Sequence, residues 1–83
     1  MRSEWDTRQA DANRHRHGVT FYEATSAFAD PLSVTIEDPL HSTDERRFVL
    51  IGHSFRQRLV VVVHTERGHT VPVMSTREAD RRE

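Results

Sequence analysis

The longest apolar run in the sequence spans residues 59–63 and contains four consecutive valines. Valine is branched at Cβ, stiff at χ1 and well suited to a pleated surface, so the run favours an extended backbone. Because no polar residue interrupts it, we predict a strand that is covered on both faces and lies in the middle of a sheet. Residues 66–69 then predict a turn in which Gly68 takes a positive φ, and residues 71–74 predict the returning strand.

Length and composition exclude several classes of protein. At 83 residues the chain is predicted to form one domain over residues 1–83. The absence of cysteine excludes a disulfide framework and a zinc–thiolate site. No segment has the length and apolar character of a membrane span, and none resembles a signal peptide. We therefore expect a cytoplasmic protein without a membrane partner.

The basic residues are concentrated in the second half of the chain. Residues 30–45 contain five acidic residues and no arginine, whereas residues 46–83 contain eight arginines and four acidic residues. The chain has no lysine, and the guanidinium of arginine binds phosphate through two hydrogen bonds at once. A GC-rich coding bias is an alternative reason for the lack of lysine. The distribution nevertheless agrees with a nucleic-acid partner, although the formal net charge is −1.

Two helices are predicted before the first long strand. Asp6 is a suitable N-cap for a polar helix that continues to about His17 and ends at Gly18. Residues 20–23 form a capping box that begins a second helix, which continues through Phe28 and carries an apolar stripe.

The rest of the chain predicts four strands and a short final helix. Residues 32–37 alternate between apolar and polar, and residues 47–53 form a second strand that precedes the central one. Ser75 and Glu78 form a further capping box, which predicts at least one helical turn at the C-terminal end. We therefore predict an α+β fold with two N-terminal helices, a four-stranded twisted antiparallel sheet and a short C-terminal helix.

Charged and imidazole side chains gather where the predicted central strand meets the turn. Strand alternation places Arg58, His64 and Glu66 on one face and Arg67 on the other. His64 and Glu66 are therefore neighbours suited to proton transfer, and Arg77 approaches the same end of the sheet from the predicted C-terminal helix. Such a group suits a phosphodiester substrate, since arginine stabilises the charge that develops during cleavage. A solvated hairpin end without function is the alternative.

The six histidines do not show the spacing of a metal site. No two of them are four residues apart on a predicted helix, and His15 and His17 diverge from the same helix. The predicted turn brings His64 and His69 near each other, but two imidazoles alone do not make a metal site. We therefore predict neither a metal nor another cofactor.

Seven segments of the chain, in order, match the motifs of a known family. They are EWD at residues 4–6, NRHRHG at 13–18, VTFYEA at 19–24, FADP at 28–31, ERRFVLIG at 45–52, RLVVVVHTERG at 58–68 and MSTREADRRE at 74–83. On these motifs the chain resembles the BrnT toxins of type II toxin–antitoxin systems, which are related to the RelE and ParE toxins. The resemblance covers nearly the whole chain.

The resemblance implies a RelE-like fold and an endoribonuclease that cleaves its RNA substrate without a metal ion. It also implies a cognate BrnA-like antitoxin, which holds the toxin inactive and is its only connection to operator DNA. Seven candidate residues fall in the matching motifs, but the resemblance does not say which of them acts as base or acid. We expect catalysis from four of them: His64, Glu66, Arg67 and Arg77. We expect RNA binding from the other three: His17, Arg47 and Arg58.

Within this assignment, His64 or Glu66 transfers protons, and Arg67 and Arg77 hold phosphate. The sequence differs from the family at residues 71–73, Val-Pro-Val, where a strand usually contains arginine. The alternative hypothesis is therefore a protein of the same fold in which catalysis is weakened or lost, so that it acts only through protein partners.

Overall fold

The structure is a computed structural model that describes residues 2–40 and 45–79. These residues form a five-stranded sheet and two α-helices, with a 3₁₀ turn directly after the second helix. The bounds are β1 Arg2–Glu4, α1 Thr7–His17, α2 Phe21–Ser26, the 3₁₀ turn Ala27–Ala29, β2 Val34–Glu37, β3 Arg47–His53, β4 Leu59–Thr65 and β5 Thr70–Glu78. The strand order is β1-β5-β4-β3-β2, so β4, which contains the valine run, lies at the centre as predicted.

The two helices begin at the caps that the sequence predicts. The side chain of Asp6 accepts hydrogen bonds from backbone N–H groups in the first turn of α1, and Gly18 ends this helix with a left-handed φ of 71°. Thr20 accepts the backbone N–H of Glu23 at the start of α2. These bonds satisfy N–H groups that have no partner inside a helix, so they fix where each helix starts.

The prediction of a four-stranded antiparallel sheet with a C-terminal helix is wrong. The described residues contain a fifth strand, β1, which pairs in parallel with residues 70–72 of β5 and makes the sheet mixed. At the other end, β5 continues through Glu78 and pairs with β4 over residues 60–63, so Ser75 is a strand residue and not a helix cap. A single isolated helical turn is unfavourable, whereas pairing with the valine run satisfies the same backbone groups.

The core lies between one face of the sheet and α2. It includes eight buried apolar residues, four from the segment around α2 and four from the sheet: Val19, Phe21, Ala24, Ala27, Leu50, Val60, Val62 and Val73. Side chains alternate between the two faces of a strand, so neighbouring positions point away from α2. We call these sides the helix-covered face and the open face. By the strand register, the open face carries Val34, Ile36, Arg47, Val49, Ile51, Val61, Val63, Ser75 and Arg77.

One edge of the sheet is closed by α1. The ladder between β4 and β5 turns the backbone N–H and C=O of Thr76 away from β4. There the buried carboxamide of Asn13 donates to the Thr76 oxygen at 2.8 Å and accepts the Thr76 N–H at 3.0 Å. A third hydrogen bond joins Asn13 to the oxygen of Val19. Asn13 thus takes the place of a neighbouring strand and fixes α1, with His17 at its end, against β5.

Candidate functional site

Two of the candidate arginines lie on the open face, one predicted to bind RNA and one predicted to hold phosphate. Arg47 is paired with Thr65 across β3 and β4, and Arg77 is paired with Val61 across β4 and β5. The two positions are four rows and two strands apart, or about 16 Å from Cα to Cα at the usual spacings of a sheet. This separation favours contacts with different phosphates of one strand.

Arg77 lies in β5, so the prediction that it occupies the first turn of a helix is wrong. No helix dipole therefore supports an anion at this position. Arg77 donates to the backbone oxygen of Glu78 at 3.3 Å, and by the strand register its side chain lies on the open face.

Arg67 lies at the end of the sheet, just beyond β4, where Glu45 fixes its orientation. Its guanidinium donates to both carboxylate oxygens of Glu45, at 2.8 to 3.1 Å. These hydrogen bonds raise the pKa of Arg67 above its ordinary value and keep it charged. They use Nε and Nη2 of the guanidinium, so the two N–H donors of Nη1 take no part in the pairing with Glu45. Together with Thr65 and Met74, the pair lines a surface depression.

The residues of the predicted proton-transfer pair differ sharply in their access to solvent. His64 is only 2% exposed and lies on the helix-covered face. Its ring lies between Phe28 and Phe48, with centroid distances of 4.9 and 5.8 Å. Burial lowers the pKa of His64 below its ordinary value, so the ring is neutral at pH 7. Glu66 is exposed and lines a depression with Arg46, Phe48 and Glu45, the partner of Arg67.

Arg58 lies on the helix-covered face, at the opposite end of β4 from Arg67. It donates to both carboxylate oxygens of Glu23, which belongs to α2 and is buried. Ser54 donates to the same carboxylate at 2.7 Å, and Arg58 also donates to the backbone oxygen of Gly18 at 3.2 Å. The hydrogen bond from Arg58 lowers the pKa of Glu23 below its ordinary value. In this position Arg58 connects α2 to the central strand.

His17, the last predicted RNA contact, is the final residue of α1 and is exposed. It lines a groove between α1 and β5 together with Arg16 and Ser75. Ser75 belongs to the open face, so His17 lies at the border of that face on the α1 side. Arg81 and Arg82 of the final motif lie outside the described residues.

The sequence did not predict the two acidic partners of this site. Glu23 meets Arg58 and Glu45 meets Arg67 across separations of 35 and 22 residues. Both glutamates lie in segments that match the family motifs, but nothing local in the sequence shows which arginine each one meets.

Two further properties hold for residues 2–40 and 45–79. Among them, no three histidine, aspartate or glutamate side chains form a group that fits a metal ion. None of the helices in this part of the chain is long and apolar enough to cross a membrane.

The fold is similar to that of a known toxin. The crystal structure of the ribonuclease toxin BrnT from Brucella abortus matches with a TM-score of 0.70, covering 98% of this chain and all of that chain at 19% sequence identity. At this identity the likeness shows a shared fold, that of a small α+β toxin. The comparison with curated protein sequences gives no significant match.

The family of this chain is identified from its sequence. Residues 5–83 match the model of a family described as the ribonuclease toxin BrnT of type II toxin–antitoxin systems. The chain therefore belongs to the BrnT family, which confirms the resemblance seen in its motifs. Membership in a type II toxin–antitoxin family implies an antitoxin as its partner.

Proposed function

We propose that this chain is an endoribonuclease that cleaves RNA without a metal ion and binds its substrate along the open face. The observation that carries the proposal is the placement of Arg47 and Arg77 on that face, with Arg67 at its end. These guanidiniums supply the positive charge that a metal supplies in other nucleases. Family membership supports ribonuclease activity in general.

The proposed reaction uses the 2′-hydroxyl of the substrate as the nucleophile. The 2′-oxygen forms a bond to phosphorus, its proton passes to Glu66, the bond from phosphorus to the 5′-oxygen breaks, and this oxygen takes a proton from solvent. Arg67 stabilises the charge on the phosphoryl oxygens, because charge-assisted hydrogen bonds are strongest where charge develops. The products are a 2′,3′-cyclic phosphate, or the 3′-phosphate formed from it, and a 5′-hydroxyl.

Glu66 is the better candidate for the proton acceptor because a substrate can reach it. A general base must come within hydrogen-bond distance of the proton that it takes, and His64 is enclosed by two phenyl rings. We propose that His64 shapes the core beneath the site, that Arg58 holds α2 in place, and that His17 contacts RNA from the α1 side.

A cleavage assay with long RNA and purified, antitoxin-free protein tests the proposal. Arg77→Ala is expected to weaken RNA binding roughly tenfold, because it removes one charge-assisted contact to a phosphate away from the reacting one. Arg8→Ala is the matched control, because Arg8 is an exposed arginine on α1 that does not line the groove between α1 and β5, and it should cleave at the wild-type rate. EDTA should change nothing. Loss of activity in EDTA with recovery on adding Mg²⁺ would contradict the metal-free mechanism.

A second candidate function is binding without catalysis. It is favoured by the engagement of Arg58 and Arg67 with glutamates and by the burial of His64. Under this hypothesis the chain acts only through protein partners, and no RNA is cleaved at any concentration of free toxin. The cleavage assay therefore decides between the two functions.

We also propose how the antitoxin acts. A BrnA-like antitoxin covers the open face, so RNA cannot reach Arg47 and Arg77, and the pair binds operator DNA only through the antitoxin. Acidic side chains of the antitoxin would meet these arginines, so the affinity is expected to fall as salt rises. Both partners are expected in the cytoplasm, where the RNA substrate is.

A further inference from the structure

The strand order ends at β1 on one side and at β2 on the other. Beyond β1, the edge of β5 is closed by the carboxamide of Asn13, which binds both backbone groups of Thr76. At the other end, β2 pairs with β3 on one side, and no described residue pairs with its outer side. β2 is thus an open edge strand.

The ladder shows which backbone groups of β2 are available. Asp38 donates its N–H to Arg47 at 2.8 Å, so its backbone faces β3. Backbone direction alternates along an antiparallel ladder, so Val34 and Ile36 also face β3, whereas Thr35 and Glu37 point outward. Two N–H and two C=O groups are therefore aligned for another strand.

The side chains of β2 add an apolar surface to this edge. Val34 and Ile36 lie side by side on the open face and are 60% and 58% exposed. Leu32 before the strand and Leu40 after it are more exposed still. Short length, charged side chains, proline and bulges protect edge strands; β2 is four residues long and ends in the charged Glu37, but it contains no lysine, proline or bulge. An edge with outward backbone groups and exposed apolar side chains can pair with a sixth strand.

We infer that an extended segment of the antitoxin pairs with the outer edge of β2 and places apolar side chains, at every second position, against Val34 and Ile36. This inference rests on the antitoxin partnership proposed above. Addition of a strand to a free sheet edge is a common mode of peptide recognition, with backbone hydrogen bonds giving affinity and alternate side chains giving specificity. From this edge the segment can continue across the open face.

The dimensions of the edge favour such a segment over a second copy of this chain. A strand of four residues is about 13 Å long, and two globular copies that meet at it touch along that length only. A stable protein pair buries about 800 Å² on each partner. An extended segment can pair with the edge and then continue over the neighbouring surface, where it buries further apolar area. A second folded copy cannot follow the surface in this way.

Amide hydrogen exchange measured residue by residue tests the pairing. In the free chain, the outward amides of Thr35 and Glu37 should exchange rapidly and the inward amides of Val34 and Ile36 slowly. Saturation with the cognate antitoxin should slow exchange at Thr35 and Glu37 by at least tenfold.

Each other outcome contradicts the inference in a distinct way. A stable complex in which Thr35 and Glu37 still exchange rapidly overturns the strand pairing and leaves the antitoxin partnership intact. Slow exchange that depends on toxin concentration without antitoxin shows a second copy at the edge. Failure to form any complex overturns both the inference and the proposed partnership.

Two variants provide an independent test. Thr35→Pro removes an outward N–H without touching the ladder to β3, and it should weaken antitoxin binding roughly tenfold. Ile36→Lys should weaken it roughly 30-fold, because a charge replaces a buried apolar contact. Tyr22→Lys is the matched control at an exposed apolar side chain on α2, and it should bind within twofold of wild type. Wild-type affinity of Ile36→Lys overturns the inference.

Discussion

Arg58 and Arg67 are both held by a glutamate through hydrogen bonds to both carboxylate oxygens, yet the two pairs differ in burial. The side chains of Arg58 and Glu23 are 25% and 2% exposed, whereas those of Arg67 and Glu45 are 62% and 46% exposed. An exposed pair contributes little to stability, whereas breaking a buried pair leaves a charge without compensation. The same chemical pair therefore holds the fold at one end of β4 and leaves a charged guanidinium accessible to solvent at the other.

The largest effect on stability is expected at the buried pair. Glu23→Gln should lower the free energy of unfolding by about 2–3 kcal/mol, somewhat less than for a fully enclosed pair because water still reaches Arg58. Urea denaturation measures this change. Glu45→Gln is the matched control at the exposed pair and should unfold close to wild type. Equal losses of stability in the two variants would show that burial does not distinguish the two pairs.

The same pair should make stability depend on pH. The pKa of Glu23 is lowered in the folded state, first by its hydrogen bond from Arg58. Its contribution is therefore fully present above the unfolded pKa of about 4.5 and is lost as the pH falls through the lower folded pKa. Urea denaturation between pH 6 and pH 3 should show a steeper loss for wild type than for Glu23→Gln. Parallel curves would contradict this reading of the pair.

A smaller effect on stability is expected at His64, which lies in β4 near the end closest to Arg67. Burial lowers its pKa in the folded state from the ordinary 6.5, so the unfolded chain binds an extra proton below that pH. Stability should be full above about pH 6.5 and fall as the solution becomes more acidic. His64→Leu, which keeps the apolar contacts without the titrating ring, should flatten the curve between pH 7 and pH 5. An unchanged dependence of stability on pH would show that protonation of other histidines causes the loss.

The smallest effect is expected when the exposed pair is altered without removing its arginine. Glu45→Gln keeps one acceptor for Arg67 but replaces a charge-assisted hydrogen bond with a weaker one. We expect RNA cleavage to fall by roughly threefold to tenfold, because Arg67 is less well oriented. A rise in the rate would instead show that Glu45 competes with the substrate for Arg67.

The sequence predicted those parts of the fold whose signals are local. The valine run placed the central strand, and the caps at Asp6 and Thr20 placed both helices. It failed where long-range pairing overrides local preference. Ser75, predicted as a helix cap, lies in a strand because β4 is available as a pairing partner. β1 was missed because it is too short and too polar to show the alternation typical of a strand.

The sequence names the residues of the candidate site, but it does not show which side chains they contact. Alternation correctly placed Arg58 and His64 on a shared face. It could not tell which face α2 covers, and it therefore gave no sign that Arg58 is held by Glu23 or that His64 lies between two phenyl rings. Such contacts arise from packing between distant segments and leave no local pattern.

Paired assays of Arg67→Ala and Arg58→Ala separate the proposed catalytic role of one arginine from the structural role of the other. Each purified variant is assayed for RNA cleavage and for urea denaturation at one temperature, well below the unfolding transition. We predict that Arg67→Ala loses cleavage by roughly 10²–10³ and unfolds like wild type. Arg58→Ala should unfold at clearly lower urea while its folded fraction cleaves at nearly the wild-type rate. The reverse pattern, with stability lost at Arg67 and catalysis lost at Arg58, would contradict the account.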